Sequence, residues 1–137
     1  MMEEVTKYYS RQNEDVDVIN LRLSSVSPDD NLPPLREVGP PRQWGLGSLT
    51  LMALSDVVRA FRMAAESSHA PGVRILNAAG PQAWVKDPTA DILRNWWGED
   101  VDLSALESEG HRYDSTYDVG EIERQLGFVA LRLPEAV

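Results

Sequence analysis

The sequence predicts an α/β domain built around two parallel strands that a helix connects. Three segments in order indicate this: an apolar, β-rich run over residues 16–23, an amphipathic helix that begins near Ser55, and a second apolar run over residues 73–76. A strand, a helix and a strand in this order are typical of a crossover connection between parallel strands. Because the first run is apolar at most positions, we expect that strand to be covered on both faces.

Composition limits the classes of protein to which this chain can belong. The chain has 137 residues, of which 42% are hydrophobic and 26% charged, as in one ordinary globular domain. The net charge of −9 disfavours binding to nucleic acid or to anionic membranes, since phosphates would be repelled. The absence of cysteine excludes disulfides, thiolate metal sites and cysteine nucleophiles.

Neither membrane nor export signals are expected. No apolar run approaches the roughly 20 residues that a spanning helix needs. The N-terminus carries charges where a signal peptide would have its apolar region. We therefore expect a cytoplasmic protein that binds neither membrane nor nucleic acid.

The first 50 residues predict a helix, a strand and a long loop. Residues 1–12 read as the end of an amphipathic helix without a capping residue, with an apolar stripe formed by Met1, Val5, Tyr8 and Tyr9. Residues 24–50 contain five prolines and read as one loop, and a loop of this length is usually functional or disordered.

Capping signals place the remaining helices. Ser55 is the predicted N-cap of the second helix, and Asp56 is expected to cap and anchor rather than to catalyse. A third helix is predicted to be capped by Asp87 or Thr89, with Pro88 near its first turn, and to end at Gly98. After it we expect an acidic, irregular segment with a short strand at residues 101–103, and then a last helix that ends at Gly127.

Four segments of the sequence resemble segments of a known protein family. They are Leu21-Arg22-Leu23-Ser24-Ser25-Val26-Ser27-Pro28, Leu51-Met52-Ala53-Leu54-Ser55-Asp56-Val57-Val58, Ile75-Leu76-Asn77-Ala78-Ala79-Gly80, and residues 117–128. In order and spacing, the chain resembles the carboxyl-terminal half of extended short-chain dehydrogenase/reductases, the NAD-dependent epimerase/dehydratase family. The resemblance implies a partial Rossmann-type, doubly wound fold in a single domain over residues 1–137. This domain would hold the last parallel strands and a small, helical substrate-binding lobe.

The resemblance also implies where ligands would bind. The loop after the first strand lies at the sheet edge where doubly wound folds bind ligands. By resemblance, the residues near the nicotinamide of NAD or NADP are Leu23, Ser24 and Val26, and those that bind substrate are Ser25, Trp44 and Arg112. Ser25 stands where the family has an asparagine.

Several positions depart from the family pattern. Ala53 replaces a histidine, and Leu49 replaces the arginine that many sugar-nucleotide epimerases use. Gly120 and Glu121 replace a serine and a lysine. Without a bidentate arginine at position 49, a pyrophosphate-bearing substrate cannot be assumed.

The catalytic parts of such an enzyme are absent from this sequence. It has no glycine-rich turn to hold a dinucleotide pyrophosphate, and no tyrosine followed by lysine four residues later. By resemblance, residues 1–4 match the catalytic helix just after that lysine, so the missing pair would lie before Met1. We therefore expect no catalytic residue and no bound cofactor in the isolated chain. We also expect no metal, because His69 and His111 lack partners at ligand spacing.

Two functions follow from the resemblance. In the first, the chain is the substrate-binding part of an NAD(P)-dependent epimerase/dehydratase that transfers hydride at a hydroxyl or ketone carbon of a sugar or sugar nucleotide. It would be inactive alone and would pair with a missing N-terminal Rossmann half or with a second copy, since parallel strands without neighbours expose an edge. In the alternative, it is a stand-alone, non-enzymatic binding or interaction module of the same ancestry.

Overall fold

The protein, a computed structural model, is described over residues 2–38 and 49–134 and is a mixed α/β structure with two short pairs of parallel strands. In chain order the strands are β1 (Asp17–Leu23), β2 (Ser25–Ser27), β3 (Leu51–Ala53) and β4 (Gly72–Ala78). The helices are α1 (Met2–Gln12), α2 (Leu54–Glu66), α3 (Thr89–Trp97), α4 (Ser104–Glu107) and α5 (Gly120–Leu126). A 3-10 turn occupies Asp29–Asn31.

The two long strands pair as the sequence predicts. β1 and β4 are parallel over seven residues each, from Asp17 opposite Gly72 to Leu23 opposite Ala78. The helix α2 lies between them in the chain, so the predicted strand–helix–strand unit is confirmed. Because the strands are parallel, their carboxyl-terminal ends lie side by side, and the two segments that follow them start at this edge of the sheet.

One face of this pair carries an apolar core. Leu76 and Ala78 of β4 are fully buried against apolar side chains of α2 and α5, with Phe128 packed beside them. Leu21 of β1 lies at the border of the same cluster. The core therefore holds α2, α5 and the segment after α5 on one side of the strands.

The opposite face is covered by the polar side of α1. Asn20 donates to the Thr6 hydroxyl at 2.9 Å, and the Arg22 guanidinium donates to both carboxylate oxygens of Glu3 at 2.6 and 2.8 Å. These contacts leave every residue of β1 at least partly accessible. β1 therefore has an element packed on each of its faces, although none of its residues is fully buried. No described strand pairs with its second edge.

One strand of a second pair, β2, lies within the predicted loop, and its partner β3 follows directly after it. β2 and β3 are parallel, with Ser25 opposite Leu51. Residues 24–50 are therefore not a single loop, and the predicted N-cap Ser55 is wrong, because α2 begins at Leu54 with Ala53 as its N-cap. All three residues of β3 are buried, and this extended segment leads directly into the first turn of α2.

The predicted end of α3 is confirmed, and its predicted N-cap is wrong. Gly98 forms the C-cap with φ of +92°, a conformation that favours glycine. Pro88 is the N-cap, instead of Asp87 or Thr89. The Thr89 hydroxyl is buried and donates to the Asp114 carbonyl at 2.9 Å, so it is not available for capping.

The acidic segment after α3 also differs from its prediction. Residues 101–103 form no strand; Leu103 precedes α4, and the Asp102 carboxylate accepts the Ser104 amide at 3.1 Å. An aspartate that accepts the amide two residues later favours a turn over a strand. The predicted stop of α5 at Gly127 is confirmed, with φ of +68°.

A buried carboxylate holds the C-terminal segment. Asp56, in the first turn of α2, is 1% exposed and accepts the amides of Leu131 at 3.0 Å and Arg132 at 2.9 Å. The Arg59 guanidinium donates to the same carboxylate. Asp56 therefore anchors residues 131–132 to α2, which agrees with the anchoring role predicted from the sequence.

Removal of this carboxylate should destabilise the chain. We expect Asp56→Ala to lower the free energy of unfolding by about 3 kcal/mol, because two backbone amides and a guanidinium lose a charged acceptor. Urea unfolding followed by circular dichroism measures the change. Asp87→Ala, which removes an exposed carboxylate, is the matched control and should change stability by less than about 0.5 kcal/mol. Equal losses in the two variants would contradict the anchoring role.

Candidate functional site

The candidate site begins where β1 ends. Ser24 directly follows β1, is 7% exposed, and donates its amide to the Ala78 carbonyl at the end of β4 over 3.4 Å. Its hydroxyl donates to the Ser25 carbonyl at 3.4 Å. This contact holds the ends of β1 and β4 together, so the two following loops start side by side.

The residues predicted to contact a cofactor differ in accessibility. Leu23 and Val26 are 36% and 44% exposed, whereas Ser24 is buried between the strand ends. Ser25, predicted to bind substrate, is exposed at the start of β2. A ligand over this edge would therefore contact the side chains of Leu23, Ser25 and Val26, while Ser24 would support the backbone.

Small residues after β4 allow β3 to pack closely. Ala78, Ala79 and Gly80 are buried, and a Cβ atom added to Gly80 would lie 3.0 Å from the Leu51 carbonyl oxygen. The absence of that atom lets the loop after β4 lie against β3. Gly80 therefore allows the loop after β4 to pack closely against β3.

A carboxylate joins the turn after β2 to the start of α2. Asp29 accepts the Ser55 amide at 2.9 Å and also accepts the Ser55 hydroxyl. The hydrogen bond from the Ser55 side chain is the main reason that the pKa of Asp29 lies below its ordinary value. Arg132, from the C-terminal segment, lies 3.8 Å from the same carboxylate. The polar loop over the sheet edge is thereby fixed to α2.

Arg112 lies in a separate cleft next to the start of α3. Its carbonyl accepts the Thr89 amide at 2.9 Å, which positions the residue beside the helix. The cleft has a volume of about 350 Å³ and is lined by Pro88, Ala90, Asp91, Leu106, Glu107 and Arg112. The Arg112 side chain is exposed, and within the described ranges its guanidinium forms no ion pair.

The two acidic side chains of the cleft are held by one arginine. Arg94 contacts Asp91 at 3.5 Å and forms an ion pair with Glu107, and the hydrogen bond to Glu107 raises the pKa of Arg94. Arg112 is therefore the cationic donor of the cleft that remains available to a ligand. Asp91 and Glu107 can still accept hydrogen bonds, since a carboxylate has about four acceptor positions.

The predicted substrate residues do not form one compact site. Three steps between hydrogen-bonded segments separate Ser25 from Arg112: Ser25 to Leu51, Thr50 to Ala83, and Ala83 to Tyr113. Ser25 and Arg112 therefore lie in different parts of the described fold. Trp44, the third predicted substrate residue, lies outside the described residues.

Two of the positions that depart from the family pattern lie in the core. Leu49 and Ala53 are fully buried, so a polar residue at either place would not reach a ligand without rearrangement. Gly120 begins α5, where its amide is accepted by Asp118, and Glu121 pairs with Arg124. The described contacts of Gly120 and Glu121 are therefore local to α5.

The sequence did not predict the roles of Asp29, Ser55, Asp91 and Glu107. Asp29 and Ser55 are 26 residues apart, and no local pattern indicates their contact. Asp91 and Glu107 face one cleft because Arg94 binds both of them. Within residues 2–38 and 49–134, no group of three or more histidine, aspartate or glutamate side chains is placed to hold a metal ion.

Comparison with known proteins adds no relative. No protein-family model, no curated protein and no solved structure matches this chain. None of the helices in the described part of the chain has both the length and the apolar character to cross a membrane.

The contact between Asp29 and Ser55 should be visible in a titration. Ser55→Ala removes the hydroxyl donor, so we expect the pKa of Asp29 to rise towards its ordinary value. Carboxyl carbon shifts in an NMR titration between pH 2 and 6 measure it. Asp102, whose pKa the Ser104 hydrogen bonds lower, serves as internal control and should not change. An unchanged Asp29 pKa in the variant would refute the contact.

Proposed function

We propose that this chain is the C-terminal, substrate-side part of an NAD(P)-dependent epimerase/dehydratase-like protein with a Rossmann-type fold. In the complete enzyme, hydride would pass between nicotinamide and a hydroxyl or ketone carbon of a sugar or sugar nucleotide. The observation that carries the proposal is the parallel β1–β4 pair, whose ends are joined by the Ser24 amide and the Ala78 carbonyl. Doubly wound folds bind their ligands at this edge of the sheet.

The chemistry of the Arg112 cleft supports a sugar-like substrate. Asp91 and Glu107 offer acceptors for hydroxyl groups, and Arg112 offers charged donors to a hydroxyl or to a phosphate. A purely anionic ligand would be repelled by the two carboxylates. A polyhydroxylated ligand with one anionic group fits this set of donors and acceptors best.

The cofactor would be held mainly by residues that this sequence does not contain. NAD or NADP needs a glycine-rich turn for its pyrophosphate, and a Tyr–Lys pair for proton transfer at the substrate oxygen. We therefore propose that an N-terminal Rossmann half completes the sheet at the open edge of β1. In such a complex Leu23 and Val26 would lie near the nicotinamide, in a cytoplasmic protein.

One observation favours the alternative of a stand-alone binding module. Leu49 and Ala53 replace polar residues of the family and are fully buried in the core. A chain that no longer needs those side chains for chemistry can use the positions for packing. In this alternative the Arg112 cleft would still bind a ligand, but no hydride would be transferred.

Ligand titration tests the substrate part of the proposal. We expect glucose 1-phosphate to shift the amide signals of Ala90, Leu106 and Arg112 in NMR spectra of the isotope-labelled chain, and NAD⁺ to shift none of them. Arg112→Gln should weaken glucose 1-phosphate binding about tenfold, because it removes a charge-assisted donor.

The matched control for this titration is Arg62→Gln, which removes an exposed arginine of α2 that pairs with Glu66. It should leave binding unchanged. Absence of shifts with UDP-glucose, with glucose and with glucose 1-phosphate would contradict a sugar-like substrate. Shifts that Arg112→Gln does not weaken would place the binding elsewhere.

The coding DNA before Met1 separates the two functions. We expect an uninterrupted reading frame that encodes a glycine-rich turn after a strand, and a Tyr-x-x-x-Lys close to Met1. The longer protein should then bind NAD(P), as measured by cofactor fluorescence. A stop codon in that frame, together with a ribosome-binding site for Met1, would overturn the enzymatic proposal and favour the stand-alone module.

A further inference from the structure

Arg94 of α3 contacts three carboxylates. Its Nη1 lies 3.5 Å from Asp91, its Nε lies 3.1 Å from Glu99, and its Nη2 forms an ion pair with Glu107. Asp91 belongs to the first turn of α3, Glu99 follows that helix, and Glu107 is the last residue of α4. One arginine therefore connects two helices and the segment between them.

This arginine acts on the Arg112 cleft from outside its lining. Asp91 and Glu107 line the cleft, whereas Arg94 is not among the described residues that do so. The Arg94 side chain is 26% exposed, less than the side chains of Asp91 and Glu107 at 56% and 49%. A ligand in the cleft would therefore meet these two carboxylates directly and Arg94 only through them.

The charge of the cleft is compensated only when Arg94 is counted. The residues that line it include two acids, Asp91 and Glu107, and one base, Arg112, so the lining alone carries one net negative charge. Arg94 adds one positive charge in contact with both acids. Glu99 contacts the same guanidinium, but its side chain is 84% exposed and does not line the cleft, so water screens its charge most.

We propose that Arg94 is a positioning residue that determines which ligand charge the cleft accepts. By compensating Asp91 and Glu107, it allows a ligand with an anionic group to approach Arg112. This inference rests on the proposed binding of a sugar-like ligand in the cleft and adds the residue that sets charge specificity. Both carboxylates keep free acceptor positions for hydroxyl groups, since each carboxylate has about four.

The geometry of the guanidinium suits this role. Its N–H groups form a rigid, planar fork, and in Arg94 three different nitrogens each face a different carboxylate. The two acids of the cleft are thereby held in fixed directions while their charge is compensated. A lysine at this position would supply the same charge without the fork, so charge and position can be separated by substitution.

Two ligands that differ in charge test the proposal. NMR titration of the isotope-labelled chain gives the dissociation constants of glucose 1-phosphate and of glucose, and the ratio of the two is compared between variants. A distorted cleft weakens both ligands alike, whereas lost charge compensation weakens mainly the anionic ligand. We expect Arg94→Gln to shift the ratio about fivefold against glucose 1-phosphate, and about 0.5 M NaCl to reduce this shift.

Two further variants separate charge from position. Arg94→Lys keeps the positive charge, so the ratio should stay nearly unchanged even if both sugars bind more weakly. Glu99→Gln removes a carboxylate outside the cleft and leaves Arg94 in place, so the ratio should shift about twofold in favour of glucose 1-phosphate. Because Glu99 is 84% exposed, its variant should fold even if Arg94→Gln does not.

Matched controls carry the same changes in net charge on α2. Arg62 and Glu66 pair with each other and do not line the cleft, so Arg62→Gln and Glu66→Gln should leave the ratio unchanged. Equal shifts in these controls would indicate a general charge effect and overturn the proposal. A ratio that neither Arg94→Gln nor Glu99→Gln changes would overturn it too, while sugar binding would stand. If the original chain binds neither sugar, the proposed sugar binding is contradicted and the role of Arg94 falls with it.

Discussion

The parallel pairing of β1 with β4 is the constraint on which the rest of the structure depends. Its seven-residue register brings the ends of both strands to one edge, where the Ser24 amide binds the Ala78 carbonyl. β2 continues directly from this point, and β3 can pair with β2 only because Gly80 leaves room beside Leu51. The polar loop at the sheet edge thus follows from the register of two strands that are far apart in the sequence.

Asp56 links the first turn of α2 to the C-terminal segment. A buried carboxylate is stable only when its charge is compensated, and here two backbone amides and Arg59 provide the compensation. The segment that follows α5 is thereby held against α2, and Phe128 closes the apolar core beneath β4. The same helix also carries Ser55, which fixes Asp29. One turn of α2 therefore joins the core, the C-terminal segment and the loop at the candidate site.

Ligand binding is proposed for the cleft and not for the apolar stripe of α1. The apolar stripe of α1 and the residues that line the cleft have no residue in common. The Arg112 cleft offers hydrogen-bond donors and acceptors that can distinguish one small ligand from another. Arg94 contacts Asp91 and Glu107 from outside the lining, so it affects the ligand through its charge and not through its hydroxyl groups. Charge selection and hydroxyl recognition can therefore be measured separately.

Periodicity and glycine positions in the sequence were enough to predict α1 and the ends of α3 and α5 at Gly98 and Gly127, because these depend on local backbone preferences. The parallel β1–β4 pair was predicted from the order strand, helix, strand, since crossover connections usually join parallel neighbours. Only the tertiary structure decided the strand β3, the start of α2 at Leu54, the contact of Asp29 with Ser55 and that of Asp56 with Leu131. The sequence also indicated the apolar stripe of α1 but not its outward direction, which the Thr6–Asn20 and Glu3–Arg22 contacts determine. The physical reason is that a local pattern specifies a conformation, whereas the partner of a side chain depends on which distant segments the fold brings together.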